Sequence, residues 1–438
     1  MEDLYFQHLG LRQQTTERHL VECGYDGLVI SSGYADLYFA DDQEAPFRPT
    51  PHFAHWCPER TPHHLLWIRP ASKPTLVFFS PADFWYEPPT LEGAFWAKGF
   101  DVIVVRNRAE RWKALGDFKG HAFIGPELAE AQEKGLDPNP TELVFRLDWE
   151  RAQKSAYEVL CVEKANEKAA LGHRRVLAQF LQMQEYGSEL ALHLAFLEAC
   201  DISEEELAYA SIIALNEKSA FLHYNPKRRK VANPQTLLID CGVPYRGYAS
   251  DITRTYARES TPATFRALLQ GLEDLQQALC RSLKAGIEFK SLHKTCHLGV
   301  ANLLLQCDVL KLCDAEFALQ KGLTQVFLPH GLGHMLGLQV HDVAGLQINA
   351  KGEEAPPDKE FPKLRTRRAL REKEIVTIEP GIYFIPVLLA PHRTGELRSH
   401  FDWNLIDSLI PYGGMRIEDN VLVLPAGMRN LTRKFLEK

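Results

Sequence analysis

Apolar and polar positions along the chain keep two periods in turn, and the changes of period mark its elements. Leu9, Leu11 and Leu20 continue a helical spacing, so residues 1–25 are expected to form an amphipathic helix. Short apolar runs follow, bounded by glycine or proline. Asp26 to Gly33 reads as a buried strand, and His64 to Ile68 and Thr75 to Phe79 read as a hairpin or adjacent strands around Pro70 to Pro74. Asp101 to Val105 and His121 to Ile124 add two strands, with a helical stretch, Ala109 to Leu115, between them. Strands alternating with helices predict an α/β domain over residues 1–155. Helical spacing of Tyr157, Leu160, Cys161, Ala165, Ala169 and Val176 then opens a second domain, residues 156–438. In it we expect a helix over 188–200, a strand from Tyr209 to Leu215, helices near 262–284 and 290–306, and strands at Ile375 to Ile378, Gly381 to Phe384 and Met415 to Val423. The stretches 39–53, 85–89 and 351–363, rich in proline or charge, read as exposed loops.

One segment of the second domain organises the rest. Between Gln235 and Tyr256 two apolar-rich runs flank a turn-like segment, Pro244 to Gly247. Folded about the bond between Tyr245 and Arg246, the hairpin would set Asp240 opposite Asp251, on one face of a sheet. Two facing carboxylates repel, and a cation between them removes the repulsion.

Composition narrows the class. The 438 residues carry a net charge of −7 with no long basic run, and the short basic cluster Lys227 to Lys230 lies in a polar loop and reads as solvated, which speaks against nucleic acid as a partner. Nine cysteines without CxxC or ordered spacing point to reduced thiols in a cytoplasmic protein. No apolar run is long enough to span a bilayer, and the N-terminus has no apolar secretory core.

Three further signals are dense in glycine, which lets backbone approach a site closely. They are Pro329 to His334 with Gly337, His341 and Asp342; Thr377 to Tyr383 around Glu379; and Gly413 to Asn420 around Glu418. Glu379 and Glu418 stand among apolar strand residues, where a carboxylate is costly unless paired or bound to metal.

The order Asp240, Asp251, His334, Glu379, Glu418 resembles the five-ligand set of the pita-bread metallopeptidases, and the stretch His330 to Asp342 is similar to the proline-peptidase signature within that family. The likeness extends to His223, to Leu364-Arg365-Thr366, and to Asp41-Asp42 and Pro46-Phe47 of long bacterial Xaa-Pro dipeptidases. It implies an α/β (α+β) chain with a creatinase-like N-terminal domain followed by a pita-bread catalytic domain, working as a homodimer. The five residues would hold two divalent ions. An oxygen-rich set of four carboxylates and one imidazole suits Mn2+, and less strongly Co2+ or Fe2+. The implied reaction is hydrolysis of dipeptides with C-terminal proline by a metal-bridged hydroxide. Glu379 would relay the proton, and His223 and His341 would stabilise the oxyanion. Arg365 would read the substrate carboxylate, and Asp42 of a partner subunit its amine. Tyr209, Val340 and His341 match pocket positions of organophosphorus acid anhydrolases, which share the fold and ligands, His330 would sit behind the ligands, and Arg416 would hold a ligand carboxylate in place. The same likeness leaves two alternatives open: organophosphorus acid anhydrolase chemistry on phosphotriesters, and aminopeptidase P activity on longer Xaa-Pro peptides.

Overall fold

The computed structural model describes Met1 through Glu437. The chain divides into two compact units: Met1–Arg151 with Ser155–Leu160 and Gln347–Glu354, and Ala152–Lys154 with Cys161–Leu346 and Ala355 onward. The segment Gln347–Glu354, within the second half of the sequence, thus packs with the first unit.

The first unit is built on a six-stranded mixed sheet, ordered Asp101–Val105, Thr75–Phe79, Leu65–Ile68, Gly27–Ser31, His121–Ile124, Asp137–Pro138. Gly27–Ser31 pairs antiparallel with Leu65–Ile68 and parallel with His121–Ile124. These three strands are buried along their whole length, which is why each reads as a continuous apolar run rather than an alternation. The opening helix spans Glu2–Cys23 and stops at Gly24, whose φ of 76° supplies the left-handed cap. The helix expected over 109–115 is a single turn, Glu110–Lys113. The two-residue strand Asp137–Pro138 was not readable, because two residues carry no period.

A buried cluster in this unit joins His8, His55 and Glu158, whose ligand-type atoms lie within 4.8 Å of one another. His8 Nε2 donates to the His55 carbonyl at 2.7 Å, and the Glu158 carboxylate accepts from the Ser155 amide at 2.8 Å. The imidazoles of His55 and His8 and the Arg12 guanidinium all favour the charged carboxylate against its burial.

The second unit packs helices against small antiparallel sheets. One sheet runs Thr253–Ala257, Thr236–Asp240, Ile212–Leu215; another runs Ile375–Ile378, Asp419–Leu424, Gly427–Asn430; Gly381–Tyr383 pairs with Gly414–Arg416. Val176, Phe180, Leu192 and Phe196 on helices cover Ile213, Leu215, Leu237 and Ile239 on the first sheet. The helix Ala263–Ser282 buries Phe265, Leu268, Leu272, Gln276 and Leu279, the three-and-four spacing of an amphipathic stripe.

Two expectations need correction here. The hairpin turns at Arg246-Gly247, not at the bond between Tyr245 and Arg246: both residues have positive φ, 50° and 88°, and Tyr245 pairs with Tyr248 across them. A two-residue turn with left-handed backbone at both positions matches strand twist, so it wins over the earlier centre. The register therefore pairs Asp240 with Thr253 rather than Asp251. The slip is two residues, which preserves the face and keeps both aspartates on one side. The strand expected over Met415 to Val423 is broken into Gly414–Arg416 and Asp419–Leu424. Opposite the break, Pro380, which has no amide hydrogen, separates Ile375–Ile378 from Gly381–Tyr383. Both interruptions fall at a glutamate.

Candidate active site

The hairpin brings the first two carboxylates into place. Asp240 ends the strand Thr236–Asp240; its Oδ1 accepts from the Tyr209 hydroxyl at 2.6 Å and its Oδ2 from Arg416 Nη2 at 2.5 Å. Asp251 lies two residues before Thr253–Ala257. Its backbone is held from both sides by buried Asn420, which accepts from the Asp251 amide at 3.1 Å and donates to its carbonyl at 2.5 Å.

His334 enters from the glycine-dense loop. Its amide donates to Thr377 Oγ1 at 3.0 Å, and its carbonyl accepts from the Thr377 amide at 2.9 Å. Gly333 makes this approach possible: a Cβ there would stand 2.0 Å from the Thr377 carbonyl oxygen. Nδ1 donates to the Met335 carbonyl at 3.0 Å, so Nε2 faces the carboxylates, 3.4 Å from Asp251 Oδ2 and 3.5 Å from Glu379 Oε1. Glu418, at the strand break, pairs as an isolated bridge with Thr253 and accepts from its hydroxyl at 2.6 Å. Ligand atoms of Asp251, His334 and Glu418, all buried, lie within 4.8 Å of one another.

Burial governs the electrostatics. It raises the Asp240 carboxyl above its ordinary range despite Arg416 beside it. It pushes Glu379 up to about 7, with Asp251 and Asp240 adding repulsion against His334 and Arg416. Glu418 goes well above the usual range, first from burial and then from the charges of Asp251, Glu379 and Asp240. Burial opposes the charged form of His334, but Asp251 and Glu379 outweigh it and raise the imidazole. Carboxylates that cannot comfortably ionise together are a cage short of positive charge, and the oxygen-rich donor set with one imidazole fits divalent cations.

A hydrogen-bonded belt backs the cage. Arg416 donates to Asp240, to the Tyr383 hydroxyl at 2.8 Å and to Thr253 Oγ1 at 3.1 Å. Tyr383 in turn meets His330 Nε2 at 2.9 Å, while His330 Nδ1 donates to the Gly331 carbonyl at 2.8 Å. Burial and then Arg416 lower His330 to about 3, so the ring is neutral. Tyr383, Thr253 and Asn420 were missed in the sequence. Tyr383 and Asn420 were signalled only by ending the segments that hold Glu379 and Glu418, and Thr253 only by lying in the hairpin between Gln235 and Tyr256.

The remaining expected residues divide. The His341 ring packs edge-on against His334, with centroids 4.4 Å apart, and it is lowered to about 4 by burial, then by His334 and Arg365, with His223 also acting on it. His341, Arg365 and His223 thus share one neighbourhood with the cage. Lys154, paired with Asp342 at 2.9 Å, anchors the residue after His341. Tyr209 touches Asp240, and Val340 is half-buried beside His341. The cage is built wholly from the second unit; Asp42 is an exposed residue of the first.

Known proteins share this outline. Residues 161–425 match the model of metallopeptidase family M24, and residues 3–149 match the Xaa-Pro dipeptidase N-terminal domain. The Xaa-Pro dipeptidase of Pectobacterium carotovorum subsp. carotovorum (strain PC1) is 38% identical over 436 residues, covering 98% of each chain. That of Edwardsiella ictaluri (strain 93-146) is 40% identical over 437 residues, again covering 98% of each. Among solved structures, proline aminopeptidase P II from Yersinia pestis superposes with a TM-score of 0.73 at 21% identity, over 99% of this chain and 97% of that one. Pseudomonas aeruginosa aminopeptidase PepP gives 0.74 at 20% identity, over 98% and 96%. At such identities the structural likeness speaks for the fold, and it is the expected one: an N-terminal α/β part followed by a pita-bread part.

Proposed function

The chain belongs to metallopeptidase family M24, and from that premise we propose that it is a metal-dependent Xaa-Pro dipeptidase, hydrolysing the bond before a C-terminal proline. The observation that carries this reading is the convergence of Asp251, His334 and Glu418 in a buried cage that Asp240 and Glu379 complete. Two divalent ions held by these five side chains, manganese by preference and cobalt or iron next, would supply Lewis acidity and an acidified water.

The chain's own residues do the rest. Glu379 accepts the proton of the attacking water and returns it to the leaving proline nitrogen. His341, lowered to about 4, is a neutral imidazole at physiological pH; with His223 it donates to the oxygen that gains charge as the carbonyl becomes tetrahedral. Arg365, exposed beside His341, offers a guanidinium fork to the free carboxylate, and this restricts the substrate to dipeptides. Tyr209 and Val340 wall the pocket. Arg416 and His330 stay behind the cage and hold its geometry. The nine cysteines form no disulfide, which supports work in a reducing compartment, the cytoplasm, and no helix among the described residues is long and apolar enough to cross a membrane.

The test is a substrate panel on manganese-reconstituted protein: Xaa-Pro dipeptides, Xaa-Pro-Yaa tripeptides and a phosphotriester. Dipeptides are expected to turn over fastest. Faster cleavage of the tripeptides, or of the phosphotriester, would overturn the assignment.

A further inference from the structure

We propose that Glu189 is a positioning residue for His223, fixing the loop that carries this histidine to the site. The inference rests on the role given to His223 above, and it starts from a carboxylate that the reaction does not use. Glu189 is the first residue of the helix Glu189–Cys200 and is fully buried. A carboxylate taken out of water costs several kcal/mol unless donors surround it. Here the donors all come from the entry to the loop Asn216–Lys230 and from the loop itself.

Glu189 grips that segment at three points. At its entry, Oε1 accepts from the Leu215 amide at 2.9 Å. In its middle, Oε2 accepts from the Tyr224 hydroxyl at 2.9 Å. At its exit, the carboxylate accepts from the Arg228 amide at 2.8 Å and from Arg228 Nε and Nη2 at 3.1 and 2.7 Å. The backbone closes the clamp: the Glu189 amide donates to the Arg228 carbonyl at 2.9 Å. Arg228 also ties the two ends together directly, donating to the Leu215 carbonyl at 2.6 Å and to Glu217 at 2.8 Å. Lys227 adds a strut, donating to the Ser211 carbonyl at 2.8 Å. The basic cluster that reads in the sequence as a solvated loop is therefore partly a tether, since Lys227 and Arg228 are spent inward.

His223 immediately precedes Tyr224, the middle anchor. It is exposed, in a turn with no regular structure to stiffen it. Its position beside His341 is thus set by the tyrosine that follows it and by the carboxylate that tyrosine meets. Misplacement of a catalytic group by about 1 Å can cost on the order of a hundredfold in rate, so a buried clamp one residue away is where such precision would be built.

The experiment is a double-mutant cycle on the manganese-loaded protein, with an Xaa-Pro dipeptide, reading kcat, KM, metal content and the rate of tryptic nicking between Lys227 and Lys230. Glu189→Gln keeps the volume and loses the charge that holds Arg228. It is expected to lower kcat about tenfold, to leave KM within about twofold and metal content unchanged, and to speed nicking. In a His223→Ala background it should cost less than about twofold more, because the histidine it positions is already gone. An equal loss in both backgrounds, or unchanged kcat and nicking, overturns the proposal while leaving the His223 role intact. Wild-type kcat in His223→Ala alone overturns the role of His223, and this proposal with it. If Glu189→Gln yields no folded protein, Tyr224→Phe removes only the middle anchor; a loss of about threefold that disappears in the His223→Ala background supports the proposal, and a loss that persists there overturns it.

Discussion

Replacing Arg416 by lysine separates charge from geometry behind the cage. The guanidinium is buried and makes three bonds in one plane, to Asp240 Oδ2, the Tyr383 hydroxyl and Thr253 Oγ1. A lysine ammonium keeps the positive charge but is a single point, and from this position it can meet one of those acceptors. If it takes Asp240, the two neutral acceptors lose their donor, and Thr253 is the hydroxyl that orients Glu418. Two lost bonds at roughly 1 kcal/mol each amount to about 2 kcal/mol of lost orientation. That corresponds to roughly thirtyfold in metal affinity, inside the ten- to hundredfold range for groups that orient metal ligands. The assay is competition against a chelator for manganese, followed by kcat at saturating metal. We expect affinity to fall by about thirtyfold and kcat to recover in large part when metal is in excess. An Arg416→Met variant lacks the charge as well and should lose metal more completely, because burial already raises Asp240 and only the Tyr209 hydrogen bond would then favour its charged form. If the lysine variant binds manganese within about twofold of wild type, the fork does not orient the ligands, and the argument fails.

Three more outcomes follow from single contacts. Arg365→Ala should raise KM for Xaa-Pro about ten- to a hundredfold, the worth of a charge-assisted bond, with metal content intact; an unchanged KM would take Arg365 out of substrate binding. Gly333→Ala puts a Cβ 2.0 Å from the Thr377 carbonyl oxygen, which is backbone and cannot rotate away; we expect about 1–3 kcal/mol of destabilisation and a lower Tm, and a melt superimposable on wild type would refute the close approach. His64 accepts the Phe79 amide on Nδ1 and is lowered to about 3, first by burial, so it folds neutral. Its contribution is complete above an unfolded pKa of about 6.5 and is lost as pH falls toward 3; between pH 7 and pH 5 this amounts to about 2 kcal/mol, which a His64→Gln variant should not lose in denaturant titrations at the two pH values.

Much of the candidate site could be named from the sequence because each proposed ligand stands in a marked segment. His334, Glu379 and Glu418 each stand in a short glycine-dense segment, and Asp240 ends an apolar strand, but it was their joint order and its resemblance to a five-ligand set that picked them out. Elements longer than a few residues were legible for the same reason: the helix Glu2–Cys23 and the strand Gly27–Ser31 carry their period and their stop signals within themselves. What the chain did not disclose were relations between distant residues. The hairpin register moved by two because the energies of left-handed backbone at Arg246 and Gly247 outweigh the apolar pattern that suggested the earlier centre. Asn420 holds Asp251 across a separation of 169 positions, and Thr253 meets Glu418 across one of 165. Arg228 looked like one more solvated cation until folding set a buried carboxylate against it. Periodicity, caps and glycine act through bonds between near neighbours, so sequence alone determines them. Hydrogen-bond partners, burial and the pKa values that burial moves depend on which surfaces meet, and only the folded chain decides that.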